Sequence, residues 1–218
     1  MRLVVFALVV LLAIVHSQNF EDPVWKSRWC EDFKETFNYG WLGPFETTGK
    51  ICYDWDEKKY AVYREDGHYD RYCGLDWYHI WAGGKCTHYV QDGVRYLHYP
   101  NDKTKCCQCC SADHGCGLLK PDWLSGAKFV GTVTFEGKSA YKWDQAGLQS
   151  NFYYETAKPN PLERVMLGID QQPNDLQVFD PATFTTSFDE SLITLPSECV
   201  DSEYCNLGIC NGLRSGFF

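Results

Sequence analysis

Short alternations of apolar and polar residues, separated by tight turns, dominate the pattern of the chain. Three stretches have the form of β-hairpins: ICYDW-DEKK-YAVYRE, KCTHYV-QDG-VRYLHY and KFVGTVTF-EGK-SAYKWDQ. Four more alternating stretches, LQSNFYYET, LERVMLGID, DLQVFD and TFTTSF, continue the series to residue 188. Such spacing is typical of an antiparallel meander. We therefore predict a mainly β fold: a curved antiparallel sheet, or half-barrel, with a short helical turn, a disulfide-rich loop and a disulfide-rich tail.

The second hairpin has a register that its turn residues predict. Residues 92–93 are Asp-Gly, a strong signal for a two-residue hairpin loop. This loop pairs Tyr89 with Tyr96 and places His88 and His98 on opposite faces of the sheet. The two histidines are therefore not expected to converge on one ion or nucleophile.

The third hairpin is predicted to have a three-residue loop at residues 136–138. That register pairs Val133 with Tyr141 and Gly131 with Trp143, so that one face is apolar. Trp143 would then cover the space left by the missing side chain of Gly131.

Two stretches depart from the strand pattern. In residues 21–50, Cys30, Phe33 and Phe37 recur at helical spacing, although WCEDFKETF equally suits a twisted first strand. Both interpretations remain open. In residues 121–126, PDWLSG, the proline suits the first turn of a short helix and the glycine suits its end. This helical turn is expected to pack on the sheet, either as core or as a lid over a ligand.

The N-terminus has the form of a secretory signal. Arg2 precedes an apolar run at residues 3–15, which is well short of the roughly twenty residues that span a bilayer. We predict a signal peptide at residues 1–17, a single domain at residues 18–199 and a cysteine-containing tail at residues 200–218. The product is expected to have no membrane span and to be secreted, extracellular or in the lumen of the secretory pathway.

All 12 cysteines follow the predicted signal, and five of them lie in the stretch KCCQCCSADHGC. Together with His114 this stretch offers enough ligands for zinc. An oxidising compartment favours disulfides instead, and adjacent cysteines such as Cys106 and Cys107 bridge each other only with strain. We predict no metal and complete pairing of the cysteines, which are Cys30, Cys52, Cys73, Cys86, Cys106, Cys107, Cys109, Cys110, Cys116, Cys199, Cys205 and Cys210.

The composition and the absence of certain motifs exclude several classes of partner and function. A formal net charge of −9 disfavours nucleic acid and anionic membrane surfaces as partners. The sequence contains no phosphate loop, nucleophile elbow or metalloprotease helix motif. We therefore expect no cofactor and no nucleic-acid partner. Aromatic residues make up 16% of the chain, which suits strands that line a core or a ligand cavity.

The stretch CGLLKPDWLSGAKFVGTVTFEGKSAYKWDQ resembles a secreted family of plants and protists that carries a Pro-Asp-Trp-Leu-x-Gly-Ala element. The likeness covers residues 50–199. The matching positions are Pro121, Asp122, Trp123, Leu124, Gly126, Ala127, Gly131, Trp143, Phe152, Tyr153, Tyr154 and Glu155. Members of that family have been labelled glycosyl transferases, but this chain lacks the alternating β–α order of a nucleotide-sugar fold. The resemblance implies that Cys109 or Cys110 pairs with Cys199.

A second stretch, GKICYDWDEKKYAVY, is similar to ependymin-like and bacterial lipoprotein-carrier folds. In those proteins an antiparallel sheet curls into a half-barrel around an apolar ligand cavity. The crowded cysteines of this chain depart from the ependymin pattern.

Three functions follow from these patterns. The preferred one is a binding protein that holds an apolar, lipid-like or carbohydrate ligand in the concave face of the sheet. The expected contact residues are Trp55, Trp123, Trp143, Phe152 and Tyr154. The first alternative is an extracellular glycan-acting enzyme that uses Asp122 with Asp144 or Glu155. The second is a structural extracellular protein without a small ligand. A deep cavity favours binding, facing carboxylates favour the enzyme, and a filled concave face favours the structural protein.

Overall fold

The structure is a computed structural model that describes residues 20–39, 42–74, 84–102, 105–145, 151–206 and 208–216. The predicted signal peptide at residues 1–17 lies outside the described residues. One antiparallel sheet dominates, which confirms the predicted mainly β fold. Its strands are β1 Arg28–Tyr39, β2 Leu42–Asp54, β3 Lys59–Arg64, β4 Cys86–Gln91, β5 Val94–His98, β6 Cys106–Ser111, β7 Lys128–Phe135, β8 Lys138–Gln145, β9 Asn151–Thr156, β10 Met166–Gln171 and β11 Asp175–Thr185.

The sheet consists of two meanders joined at their centre. The strand order is β6-β5-β4-β3-β2-β1-β11-β10-β9-β8-β7, so that β1 pairs with β11. Residues 112–127 carry the chain from β6 at one edge to β7 at the other. Single 3₁₀ turns lie at Ala112–His114, Pro161–Glu163, Glu190–Leu192 and Ser197–Cys199, and one α-helix, α1, lies at Gly208–Ser215. Among the described residues, no helix combines the length and the apolar character that a membrane span requires.

The sheet is strongly curved, as a single side chain shows. Strands β2 and β9 are four strand spacings apart, which is roughly 19 Å on a flat sheet. Trp25 nevertheless reaches both, because its ring lies 5.5 Å from the ring of Tyr53 in β2 and its Nε1 lies 3.1 Å from the hydroxyl of Tyr153 in β9. We call the concave side the inner face and the convex side the outer face.

The uncertain region at residues 21–50 contributes β1 and most of β2. Trp29, Phe33 and Phe37 alternate onto the inner face and are almost completely buried. Cys30 lies on the outer face, where it bonds Cys52 of β2. Its helical spacing to Phe33 was therefore coincidental, since the two side chains lie on opposite sides of the sheet.

The inner face carries the largest core cluster. It contains Trp25, Trp29, Phe33, Ile51, Tyr53, Val62, Leu124, Ala127, Tyr141, Trp143, Tyr153, Met166 and Phe179. Residues 121–126 pack on this cluster, with Leu124 buried and Gly126 at a φ of +80°, but they form a series of tight turns rather than the predicted helical turn, because only every second backbone N–H bonds three residues back. Because only glycine tolerates such a φ readily, Gly126 suits the end of the turn.

The outer face of β1–β5 is covered by residues 188–199, which we call the outer strap. Leu192 and Ile193 of the strap pack against the Cys30–Cys52 disulfide and Tyr89. The chain then reaches the edge strand β6, where the backbone of Gln108 exchanges hydrogen bonds of 2.8 and 2.9 Å with residues 203 and 205. The tail thereby pairs an edge that would otherwise present free backbone groups.

The 12 cysteines form six disulfides, as predicted. The bonded pairs are Cys30–Cys52, Cys73–Cys86, Cys106–Cys199, Cys107–Cys205, Cys109–Cys210 and Cys110–Cys116. Three of these bonds tie β6 to the strap and the tail, so the cysteine-rich stretch predicted as a loop is mostly an edge strand.

The partner implied for Cys199 was wrong. Cys199 bonds Cys106, whereas Cys109 bonds Cys210 and Cys110 bonds Cys116. The reason is the alternation of side chains along β6 together with a bulge at Cys109, where the register with β5 shifts. Cys106 pairs with His98 on the outer face, where the strap delivers Cys199, whereas Cys109 and Cys110 belong to an inner cluster.

The two hairpin registers had different outcomes. The second hairpin pairs Tyr89 with Tyr96 around residues 92–93, which confirms the prediction. The third was wrong, because its loop has two residues, Glu136 and Gly137, with φ values of +47° and +74°. Positive φ at both positions matches the turn type that suits twisted hairpins.

The third hairpin also differs from the predicted register because β7 contains a bulge. Val133 pairs with Ala140, and the register then shifts between Phe129 and Gly131. Trp143 consequently lies opposite Phe129 rather than Gly131. Trp143 lies three positions from Ala140 on β8, so Trp143 is on the inner face whereas Val133, the partner of Ala140, is on the outer face. The bulge adds one residue to β7 and thereby brings Phe129 opposite Trp143.

Candidate functional site

The five aromatic residues expected to line one site lie on both faces of the sheet. Trp55, Trp123 and Trp143 belong to the inner cluster or pack against it. Phe152 and Tyr154 lie on the outer face, because Tyr153 between them is the residue that pairs with Trp143. Their rings are engaged there, with Lys142 Nζ 3.6 Å from the Phe152 ring centroid and the Phe135 ring stacked 4.1 Å from that of Tyr154.

The inner face is filled by the chain itself. Residues 20–27, which we call the N-terminal segment, and residues 112–127 both lie across it. Trp25 N donates a hydrogen bond to Pro121 O at 2.9 Å, and Tyr53 Oη donates one to Leu119 O at 2.8 Å. Two cavities beneath these segments measure only about 10 and 40 Å³. Ligand pockets usually measure roughly 300–1,000 Å³, so the described inner face is a packed core.

The three carboxylates of the enzyme alternative do not converge. Glu155 is buried on the inner face, where its Oε1 accepts hydrogen bonds of 2.9 Å from both Trp143 Nε1 and Arg164 Nη1. Burial raises the pKa of Glu155 to about 7 although Arg164 opposes the shift. Asp144 points to the opposite face of β8, and Asp122 is exposed in the turn at residues 121–126.

A carboxyl group that the sequence reasoning missed lines the same small cavity as Glu155. Glu31 of β1 is completely buried, and both of its carboxyl oxygens lack a hydrogen-bond partner. Burial, followed by the charges of Asp180 and Asp32, raises the pKa of Glu31 to about 9. The signal was the alternation of WCEDF, which puts Glu31 between two inward aromatic residues as soon as this stretch is assigned as a strand.

A second buried polar group links strands β1, β3 and β4. Arg64 donates from Nε and Nη2 to the two carboxyl oxygens of Glu35 at 2.5 and 3.0 Å. Its Nη2 also lies 3.5 Å from Asp70 Oδ2, and Asp70 Oδ1 lies 2.9 Å from His88 Nε2. Burial alone would raise the pKa of Asp70, but the positive charge of Arg64 outweighs this effect and keeps the pKa below its usual range. Burial lowers the pKa of His88. These groups largely satisfy one another and hold the strands together.

A ligand-sized space lies on the outer face. This outer groove measures about 350 Å³ and is lined by Asp32, Thr48, Gly49, Lys50, Tyr63, Glu65 and Leu192. Tyr63 Oη donates a hydrogen bond to Leu192 O, so the strap forms one wall. Lys50 Nζ lies 2.5 Å from Asp32 Oδ1, with both side chains about two-fifths exposed at 38% and 43%. The groove therefore offers carboxylate acceptors, an ammonium donor and an aromatic ring to solvent.

Comparisons with known proteins give little beyond this geometry. A domain of unknown function, DUF8395, matches residues 89–172, which is less than half of the chain. No curated protein matches the chain. An uncharacterized conserved protein from Thermus thermophilus has a similar structure, with a TM-score of 0.47 and 10% identity over 82% of this chain and 90% of that one. A structure of PNGF-II matches with a TM-score of 0.37 and 9% identity over 78% of this chain and 31% of that one.

Proposed function

We propose that this chain is a secreted, disulfide-stapled binding protein that holds a carbohydrate ligand in the outer groove. The observation that carries the proposal is the volume of the groove. At about 350 Å³ it lies within the range of ligand pockets, whereas the cavities under the inner face hold little more than single water molecules. The concave face, where a ligand was expected from the sequence, offers no comparable space among the described residues.

The chemistry of the groove favours a carbohydrate over a lipid-like ligand. Sugar hydroxyls both donate and accept hydrogen bonds, so they complement the carboxylates of Asp32 and Glu65 and the ammonium of Lys50. Hydrogen bonds to charged groups are stronger than those between neutral groups. The ring of Tyr63 supplies an apolar surface for the C–H groups of a sugar. An alkyl chain would remove the Lys50–Asp32 and Lys85–Glu65 ion pairs from water without offering them any hydrogen bond, which is unfavourable.

Secretion is part of the proposal for two reasons. The predicted signal peptide precedes every cysteine, and all the cysteines are paired in disulfides. Disulfides persist in oxidising compartments, and proteins with as many as six of them are rare in the cytosol of most organisms. A secreted protein also meets soluble and surface-bound glycans.

The test is binding of a panel of neutral and acidic oligosaccharides to the oxidised protein, measured by calorimetry. We expect Asp32→Asn to weaken binding at least tenfold, because it removes an acceptor charge and the partner of Lys50. The matched control is Lys34→Met, which breaks the Lys34–Glu46 ion pair of 2.7 Å on the same two strands but outside the groove. Equal affinities of the two variants, or no binding by any oligosaccharide, would remove the proposal.

A structural role is the second candidate, and the filled inner face favours it. Six disulfides and a packed concave face give a durable domain that requires no ligand. This role predicts that no oligosaccharide raises the unfolding temperature. The binding role predicts a rise that grows with ligand concentration, because a ligand that binds only the folded state stabilises it.

A further inference from the structure

Three unpaired polar atoms belong to two neighbouring side chains of the inner face. Among the described residues, six buried side-chain nitrogen or oxygen atoms lack a hydrogen-bond partner. Trp29 Nε1 and the two carboxyl oxygens of Glu31 account for half of them. The two side chains are 2% and 0% exposed and lie two positions apart on β1, so they share the inner face. An unpaired buried carboxyl costs several kcal/mol in general, and this cluster therefore requires a partner.

Both side chains line the same small cavity. The cavity measures about 10 Å³ and lies beneath Trp25 and Lys26 of the N-terminal segment. Its other walls are formed by Tyr153, Glu155, Arg164, Val165, Met166 and Phe184. A space of roughly 10–15 Å³ holds one water-sized group. The occupant is therefore a single small group or the end of a larger molecule.

The charges around the cavity favour a neutral occupant. Burial keeps Glu31 protonated at neutral pH, since its pKa is about 9. The two cationic side chains in the wall are already engaged, Arg164 Nη1 with Glu155 Oε1 at 2.9 Å and Lys26 Nζ with Leu162 O at 2.6 Å. A further cation would be repelled by both of them, and an anion would lie beside the carboxylate that Arg164 binds.

We propose that this cavity is a binding site for one neutral hydroxyl group, held between Trp29 Nε1 and the Glu31 carboxyl. The oxygen of the hydroxyl accepts hydrogen bonds from the Trp29 indole and from the protonated oxygen of Glu31. Its hydrogen is donated to the other Glu31 oxygen. All three unpaired atoms then have partners. The hydroxyl belongs either to a water molecule or to an alcohol, and the site is independent of the outer groove because it lies on the other face of the sheet.

The test is an NMR measurement of nuclear Overhauser effects at the indole protons of ¹⁵N-labelled protein, in water and with added ¹³C-methanol. We expect a cross-peak from the Trp29 indole proton either to a long-lived water or to the methyl group of methanol. The first result assigns the site to water and the second to an alcohol. Trp143 is the matched control, because its Nε1 donates directly to Glu155 and should show neither cross-peak. Absence of both cross-peaks at Trp29 would overturn the proposal.

Two variants at position 31 test the role of the carboxyl. Glu31→Gln keeps one donor and one acceptor, so the Trp29 cross-peak should persist. Glu31→Leu should abolish the cross-peak and lower the unfolding temperature relative to Glu31→Gln, since it leaves the hydroxyl with one partner. A cross-peak that survives in Glu31→Leu, or a higher unfolding temperature for Glu31→Leu than for the natural protein, contradicts the proposal. If Glu31→Leu does not fold, loss of the cross-peak in Glu31→Gln has the same consequence.

Discussion

The indole Nε1 of Trp25 donates a hydrogen bond to the hydroxyl of Tyr153 at 3.1 Å, across 128 positions of the chain. The Trp25 ring also packs edge-to-face against Trp29, Tyr53 and Trp123, with centroid distances of 5.3, 5.5 and 5.5 Å. Only 8% of Trp25 is exposed. The N-terminal segment is therefore part of the core, and it closes the concave face that the sequence suggested as a ligand cavity.

Replacing Trp25 with alanine tests this role of the N-terminal segment. We expect Trp25→Ala to lower the free energy of unfolding by about 3–5 kcal/mol, the range for emptying a large buried aromatic site. Tyr153→Phe removes only the hydrogen bond and should cost about 1 kcal/mol. Urea unfolding of both variants measures the two costs. A loss below about 1 kcal/mol for Trp25→Ala would mean that the segment contributes little to the core.

Trp143 is the second site at which the core can be tested. Its side chain is 1% exposed and its Nε1 donates to Glu155 at 2.9 Å. Trp143→Ala should therefore cost about 3–5 kcal/mol in urea unfolding. Val130→Ala in the neighbouring strand is the control, because Val130 is 49% exposed and should change stability by no more than about 0.5 kcal/mol. Similar values for the two variants would contradict the placement of Trp143 in the core.

Local patterns predicted the strands and most turns, whereas the register of the third hairpin depended on more than its loop. The Asp-Gly turn at residues 92–93 was sufficient for the second hairpin. In the third, a bulge near Val130 shifts the pairing after the turn. The apolar pattern alone favoured a single face for Val133 and Trp143. Strand β8 buries side chains on both of its faces, Ala140 on the outer face and Trp143 on the inner face, so the requirement of one apolar face gave the wrong register.

The candidate sites were harder to predict because they depend on which segment covers each face. Strand alternation at residues 152–154 separates Phe152 and Tyr154 from Tyr153, and the pairing of Tyr153 with Trp143 then separates them from Trp143. The sequence-based prediction grouped the aromatic residues by type instead. The outer groove needs the strap at residues 188–199, which has no strand periodicity. Glu31 became visible as an inward carboxyl only once its stretch was known to be a strand.

The three disulfides that tie β6 to the strap and the tail should share one large contribution to stability. Cys106–Cys199, Cys107–Cys205 and Cys109–Cys210 close nearly the same loop, because they span 93, 98 and 101 positions. Removing one bond leaves the other two to close that loop, so chain-entropy arguments give only about 2 kcal/mol for a single bond and at least about 4–5 kcal/mol for all three together. Replacement of Cys106 and Cys199 by serines, compared with replacement of all six cysteines and followed by urea unfolding without reductant, measures the difference. A loss for the single bond as large as that for all three would contradict this prediction.

Buried carboxyl groups make stability depend on pH above neutrality. Burial raises the pKa of Glu31 to about 9, of Asp175 to about 8 and of Glu155 to about 7. In the unfolded chain these groups lose their protons near pH 4. The folded state therefore binds more protons than the unfolded state above pH 4, so stability falls as pH rises through the folded pKa values. His88 has the opposite effect, because burial lowers its pKa, and it acts only below about pH 6.5.

We accordingly expect the unfolding temperature to fall between pH 6.5 and pH 8.5, the window in which His88 no longer contributes. A single group that keeps its proton only in the folded state changes the free energy of unfolding by about 1.4 kcal/mol per pH unit. For a chain of this length that corresponds to roughly 3–6 °C per pH unit. Glu31→Gln should reduce the slope, since Glu31 has the highest pKa of the three carboxyl groups. Glu46→Gln, which alters an exposed ion pair with Lys34, should leave the slope unchanged. If the slope of Glu31→Gln equals that of the natural protein, Glu31 is not protonated in the folded state, and the neutral hydroxyl site at Trp29 loses its chemical basis.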